Sequence, residues 1–311
     1  MKILCIGGAG YLGGVLVPAL TKEGYDVTVF DMYYFPTEPY LGHVNMTGNI
    51  VNSLALEGEI KTHDVIVLIA AIVGEPACQV LSKEVQAINY AAPTKISELC
   101  KKYRKKLVFT STCFFYGFDG TKVLTEKSPV QPKKSLYGLT KYNAEKKIRL
   151  NCPNAAILRF STLFGESCRM RYDLVVNRFI AQALNKENLT LHGGNQWRPF
   201  LHIKDAARAI IHAIQKDLRG EYNVLYANYQ IKTVAEIIAA SLNVKIKHTG
   251  TKDTRNYLVS PDKLHKTGFT PTYSILDAVD EIQKTKTWKN YENPIYSNEK
   301  WYAKLKKEGK I

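Results

Sequence analysis

No uninterrupted apolar run in this 311-residue sequence reaches the ~18 residues that a membrane-spanning helix requires, so a membrane span is not expected. Acidic residues are scarce beside basic ones, 28 against 43, which leaves a formal charge of +15. Such a surplus suits a nucleic acid, an anionic small molecule, or simply a lysine-rich solvated surface. The lysines are spread along the chain, with local concentrations at "KKYRKK" (101–106) and "KLKKEGK" (304–310). No RNP, zinc-finger or helix-turn-helix pattern accompanies them, so no nucleic-acid partner is expected. The six cysteines (Cys5, Cys78, Cys100, Cys113, Cys152, Cys168) form no CxxC pair, and none stands at zinc spacing with the seven histidines. Reduced thiols and no metal site follow. Internal repeats and low-complexity linkers are absent as well. What remains is a chain of ordinary hydrophobic content, 45%, long enough for one large α/β domain or two smaller ones.

What is present begins at the N-terminus. "MKILCIGGAGYLGG" has the lysine and apolar residues of a signal peptide, but glycine breaks the run at Gly7 and strand and helix patterns follow at once. It reads as the first strand of a cytoplasmic protein. "KILCIG" (2–7), "VTVFD" (27–31), "DVIVLIAA" (64–71), "KLVFTST" (106–112) and "AAILRF" (155–160) are continuous apolar runs, as strands buried on both faces should be. Helices are expected between them at about 11–23, 83–103 and 135–151. This β-α-β rhythm predicts a parallel, doubly wound sheet. After about residue 162 it loosens: helices are expected near 172–186, 203–216 and 232–242, and strands near 221–225 and 244–248. The end of the chain, polar and aromatic, reads as peripheral.

"GGAGYLG" (7–13) follows the first strand and opens a helix, with Gly7, Gly10 and Gly13 in GxxGxxG spacing. Glycines there permit a tight turn and close approach to a pyrophosphate, which then faces the helix N-terminus. Asp31 closes the second strand 18 residues after Gly13. A carboxylate there accepts the ribose hydroxyls of NAD and repels a 2′-phosphate, and Met32 follows it where an arginine would suit NADP.

Thr112 ends the strand "KLVFTST", and a ligand binds beyond the carboxyl ends of such strands. Tyr137 and Lys141 in "SLYGLTK" stand four residues apart at the start of the next helix, on one face. The same spacing recurs at Tyr142/Lys146, Tyr296/Lys300 and Tyr302/Lys306, so spacing alone selects nothing. Placement does. Tyr142 lies about 140° around the helix from Tyr137, and the other two pairs fall in the tail, away from any cofactor signal.

The glycine fingerprint with Thr112, Tyr137 and Lys141 resembles the extended short-chain dehydrogenase/reductase group, the NAD-dependent nucleotide-sugar epimerase/dehydratase family. "AAIVGEPAC" (70–78), "QAINYAA", "STCFFYG", "LRFSTLFG" (158–165), "CRMRYDLVVN" (168–177), "RPFLHIKD" (198–205) and "TRNYLVS" (254–260) match its landmarks over nearly the whole chain. In pattern it is similar to bacterial epimerases and 4-dehydrogenases that act on sugars for surface polysaccharides, GDP-heptose enzymes included. The resemblance implies a Rossmann-type doubly wound sheet, residues 1–161 with about 203–228, binding NAD. It implies a smaller C-terminal α/β substrate-binding region from residues 162–202 and 229–311, and a homodimer.

It also implies site residues. Gly7, Gly10, Tyr11, Leu12, Gly13, Asp31, Asn49, Ile50, Ala70, Ala71 and Asn89 would hold NAD, together with Tyr137 and Lys141. Tyr137 would be the acid/base, Lys141 its electrostatic partner, and Thr112 a hydrogen-bond donor to the reacting sugar oxygen. Asn177, Arg198 and Arg255 would hold the nucleotide diphosphate, with Arg169 and Arg171 adding to them; arginine suits phosphate because its planar fork donates in pairs. Departures narrow the reaction. Cys113 and Phe114 stand where 4,6-dehydratases carry an Asp-Glu pair, which disfavours dehydration. The cysteine is also one residue away from its place in GDP-fucose synthase-like enzymes, so it reads as a packed thiol. Asn49 stands where the family has an Asp facing adenine. The expected activity is epimerisation of a nucleotide-diphosphate sugar through a 4-keto intermediate, or else net C4 oxidation. A non-catalytic dinucleotide-binding regulator is the reading from another class.

Overall fold

The computed structural model describes residues 1–36, 43–117, 122–130, 132, 135–250 and 255–311. Seven strands form one parallel sheet, in the order Gly220–Val224, Ala156–Phe160, Lys106–Thr112, Val65–Leu68, Lys2–Ile6, Asp26–Asp31, Val44–Thr47. The continuous apolar runs serve two layers at once. Ile3, Cys5, Val27, Val29, Val65 and Val67 pack on one face, beneath the helices Gly13–Lys22 and Ile203–Gln215. Leu4, Ile6, Ile66, Leu68, Leu107 and Phe109 pack on the other, beneath Ser53–Thr62, Ala92–Lys102 and Leu136–Asn151. Each such side chain contributes about 1.5–3 kcal/mol by leaving water.

The first strand lies inside the sheet. The chain steps outward from it through Asp26–Asp31 to Val44–Thr47, then returns to its other side at Val65–Leu68. The order therefore reverses between Lys2–Ile6 and Val65–Leu68, and a ligand crevice opens at their carboxyl ends. A smaller region lies over this end. It holds a sheet of Thr162–Phe164, Trp197–His202 and Ala227–Gln230 and a second core between the helices Val175–Leu184, Ile231–Leu242 and Ile275–Lys284.

Among the described residues five α-helices lie outside the sequence expectation: Ser53–Thr62, Glu75–Val80, Asp262–His265, Ile275–Lys284 and Asn298–Lys307. One carried a legible signal, since Ser274 and Asp277 form a capping box at the start of Ile275–Lys284. The helix expected over 83–103 is broken by a π turn at Ala87–Ala91, just ahead of Pro93, which has no N–H to continue the ladder. The tail is the larger correction. It is not peripheral: Tyr302 and Leu305 are buried with Ile72, Ala77, Cys78 and Leu81, and Trp301 Nε1 donates to Tyr34 O at 2.7 Å. Among the described residues no helix is long and apolar enough to cross a membrane, and no group of metal-ligating side chains is assembled.

Candidate active site

The crevice is a cleft of about 1150 Å³. That exceeds the roughly 300–1,000 Å³ of an ordinary small-molecule pocket, as room for two ligands requires. Its floor is the loop after the first strand. Gly7 has φ +94, and a Cβ there would meet Ala70 N at 2.5 Å, so no other residue fits between the two strand ends. A Cβ on Gly13 would strike Gly8 O at 2.0 Å; its absence lets the helix Gly13–Lys22 start against the loop and present its N-terminus to the cleft. Asp31 reaches the same place, accepting the Ala9 N–H at 3.0 Å and the Tyr33 N–H at 2.9 Å. Burial pushes its carboxyl up, against those N–H bonds and the nearby Arg169 guanidinium. Gly10, Tyr11, Leu12, Asn49, Ile50, Ala70 and Ala71 also line the cleft.

Deeper in, the strand Lys106–Thr112 and the helix Leu136–Asn151 bring Thr112, Tyr137 and Lys141 together in the wall. Ser135 starts the helix by accepting the Gly138 N–H at 2.9 Å. The Thr112 hydroxyl accepts the Phe114 N–H at 3.1 Å. Lys141 Nζ donates to Thr110 O at 2.7 Å and lies 4.2 Å from the centre of the Phe109 ring. Burial lowers its pKa to about 7. Burial also pushes the Tyr137 phenol well above its ordinary value, opposed by its neighbours Thr112 and Arg171. Arg171 thus favours the Tyr137 phenolate, and Lys141, one turn on, lies in an apolar setting against the Thr110 carbonyl.

Two expected contacts lie elsewhere. Asn89 is fully buried and does not line the cleft; its amide oxygen accepts the Ile72 N–H at 2.8 Å and its amide donates to Ile72 O at 2.9 Å. Asn177 is also fully buried, accepting Gly165 N–H at 2.9 Å and donating to Tyr11 Oη at 3.0 Å and Arg171 O at 2.8 Å. Both amides are spent on backbone that shapes the cleft, so they serve it from behind. Arg171, Arg198 and Arg255 do line it; Thr254, in one of the matched stretches, lies outside the described residues. Cys113 is fully buried, its thiol donating to Arg159 O at 3.1 Å, as a packed thiol would.

The sequence pattern of the NAD dependent epimerase/dehydratase family matches residues 3–224. The chain belongs to that family. It is therefore an enzyme, and NAD is its cofactor. Over 245 residues it is 30% identical to the UDP-N-acetyl-alpha-D-glucosaminuronate decarboxylase of Bacillus cytotoxicus, covering 71% of this chain and 74% of that one. The solved UDP-glucuronic acid 4-epimerase of Bacillus cereus, in complex with UDP-glucuronic acid and NAD, superposes with a TM-score of 0.80. It is 25% identical and covers 91% of this chain and 98% of its own. The dTDP-glucose 4,6-dehydratase of Bacillus anthracis, in complex with NAD, gives 0.81 at 26% identity, covering 93% and 98%. Proteins similar to this chain thus bear the names of three different reactions, a decarboxylase, a 4-epimerase and a 4,6-dehydratase.

This member of the family fits its cofactor in its own residues: the glycine cradle, the Asp31 carboxylate at the cleft and a helix N-terminus aimed into it. It also has residues that motif reading missed. Glu75 accepts the backbone N–H groups of Leu136 and Tyr137, each at 3.1 Å, and the Ser135 hydroxyl. Glu145, one turn past Lys141, forms a buried ion pair with Arg159 and accepts the Ser111 hydroxyl at 2.7 Å. Asn298 and Tyr302 enter the cleft from the C-terminal helix. Glu75, Ser111 and Arg159 lay in matched stretches and Tyr302 in a Tyr-x-x-x-Lys pair of the tail; Glu145 and Asn298 have no signal that one sequence exposes.

Proposed function

We propose that this enzyme inverts one centre of a nucleotide-diphosphate sugar through a 4-keto intermediate. One observation carries the reading: Thr112 and Tyr137 share the cleft wall, and Cys113 and Phe114, not a pair of carboxylates, follow Thr112 there. Cys113 and Phe114 follow Thr112, one a buried thiol pushed far up by burial and the other a ring 6.0 Å from that of Tyr137. Of the carboxylates in the cleft wall, Glu75 is spent on helix N–H groups, Asp173 on Arg171 and Asp31 on loop N–H groups, while Glu84 and Glu299 also line it. One proton carrier suffices to oxidise and re-reduce a single carbon, whereas loss of water needs further acid/base groups.

When bound, NAD supplies the hydride acceptor and later the donor. Tyr137 takes the proton of the sugar hydroxyl, and Thr112 holds the same oxygen as it becomes a carbonyl. Tyr137 returns the proton once the other face of the sugar is presented. An unperturbed phenol near ~10 must drop about 3 units to do this at neutral pH, which requires about 4 kcal/mol. Arg171 acts in that direction, against the burial that pushes the phenol up. Arg198 and Arg255, in the same cleft, suit a diphosphate. Leu139 and Leu150, 40% and 69% exposed, lie eleven residues apart and so on one face of their helix; they support a homodimer packed through it.

The test is a panel of UDP-, GDP- and dTDP-sugars, followed by NADH absorbance and by NMR of the products. An inverted centre without NADH accumulation supports epimerisation. Stoichiometric NADH would replace this reading by the C4 dehydrogenase.

A further inference from the structure

The C-terminal helix Asn298–Lys307 forms part of the cleft wall, and its first residue is a junction. Asn298, 6% exposed, donates from its amide to Val73 O at 3.1 Å and accepts from Arg169 Nη2 at 2.7 Å. Its backbone N–H donates to Asp173 Oδ2 at 3.1 Å, and Asp173 in turn holds Arg171 through two bonds of 2.9 and 2.8 Å. One residue of the tail thus ties the loop after the fourth sheet strand to both arginines of the Arg-Met-Arg stretch.

Arg169 is the more telling of the two. It is 5% exposed, its guanidinium lies 3.5 Å from the centre of the Phe35 ring, and its Nε has no hydrogen-bond partner among the described residues. Burial and the neighbouring Arg171 both weigh against its charge. Two buried cations held side by side, one with an unspent donor, are costly unless an anion completes them. The segment bearing Arg169 lies at the start of the helix Gly13–Lys22: a Cβ on Gly14 would meet Ser167 Oγ at 2.5 Å and Arg169 N at 3.6 Å. The backbone of Arg169 thus lies against the start of that helix, and Arg169 and the glycine loop line the same cleft, where a helix N-terminus and a guanidinium both favour a phosphate.

We propose that Asn298 is a positioning residue of an anion site, holding Arg169 beside Arg171 to receive a diphosphate. Proximity to the glycine loop favours the cofactor's diphosphate, and that of a nucleotide sugar has the same chemistry. This inference rests on the proposed reading of the cleft as the common site of NAD and a nucleotide sugar.

The experiment is calorimetric titration of the ligand-stripped full chain, separately with NAD and with UDP, for the wild type, Asn298→Ala, Arg169→Gln and the double variant. Melting curves without ligand control for folding. Arg169→Gln is expected to weaken NAD about tenfold or more and UDP less than threefold, and Asn298→Ala to follow it in part. The reverse preference would support the site with the nucleotide sugar as its anion. If Asn298 acts through Arg169, Asn298→Ala has no further effect in the Arg169→Gln background; an undiminished effect there overturns the positioning role. Unchanged affinity for both ligands in Arg169→Gln overturns the site, and that variant decides it even if Asn298→Ala does not fold. Unchanged affinities in Arg169→Gln while the wild type inverts a nucleotide sugar fail this inference alone; weakened NAD binding in that variant with no inversion by the wild type fails the epimerase reading alone.

Discussion

The carboxylate of Glu75 accepts the backbone N–H of Tyr137 at 3.1 Å, so the first residue of the helix Glu75–Val80 fixes the start of the helix that carries the proposed acid/base. The same carboxylate takes the N–H of Leu136 and the hydroxyl of Ser135, which leaves few helix-terminal donors to water. Glu75→Ala is expected to cost about 1 kcal/mol as a lost cap. It should also lower kcat about tenfold with little change in KM, because a small misplacement of a reacting group is expensive. Glu75→Gln, which keeps an acceptor, should fall between. Denaturant unfolding and steady-state kinetics measure both effects; an unchanged kcat in Glu75→Ala would show that the contact is only a cap.

Tyr137→Phe removes the proton carrier and leaves the ring. The expected loss is about 10²–10⁴-fold in kcat, the usual share of general acid–base catalysis. NAD binding should stay within a few-fold of wild type, since the glycine loop and Asp31 are untouched. Turnover at the wild-type rate would sink the assignment of Tyr137 and, with it, the enzymatic use of this pair.

Glu145 and Arg159 are 1% and 3% exposed and are held to each other through several bonds, with Tyr116 Oη and Ser111 Oγ completing the network. Removing one partner strands the other in the core. Arg159→Met is expected to cost about 3–5 kcal/mol, and the double change Glu145→Gln/Arg159→Met to recover part of it. Equal losses in the single and double variants, read from denaturant midpoints, would mean that packing and not the unpaired charge is at stake.

The parallel sheet was legible because buried strands need unbroken apolar runs, and the glycine loop because close packing admits no side chain at Gly7 and Gly13. Thr112, Tyr137 and Lys141 were legible through placement at a strand end and a helix start. The roles of Asn89 and Asn177 were not, because an amide contacting a ligand and an amide bracing a loop look alike in sequence. The tail was misjudged for a different reason. Its polar and aromatic residues have no apolar period strong enough to announce burial, yet Asn298 and Tyr302 meet partners more than 120 positions away. Such contacts depend on tertiary folding alone.

Lys141 gives a stability prediction whose sign follows from its pKa of about 7, against an ordinary lysine value of 10.5. Between those two values the unfolded chain holds a proton that the folded chain has released. Stability from this group therefore rises with pH across the window, by at most roughly 1.4 kcal/mol per pH unit, and below about 7 the cost of burying the charge is fully present. Lys141→Met abolishes that dependence while filling much of the same space. Relative to wild type, the variant should be most favoured at pH 6.5 and should lose ground steadily towards pH 9.5, as read by denaturant unfolding at several pH values. A difference between the two proteins that stays flat over this range would mean that Lys141 keeps its proton in the folded state, held by Thr110 O and the nearby Glu145.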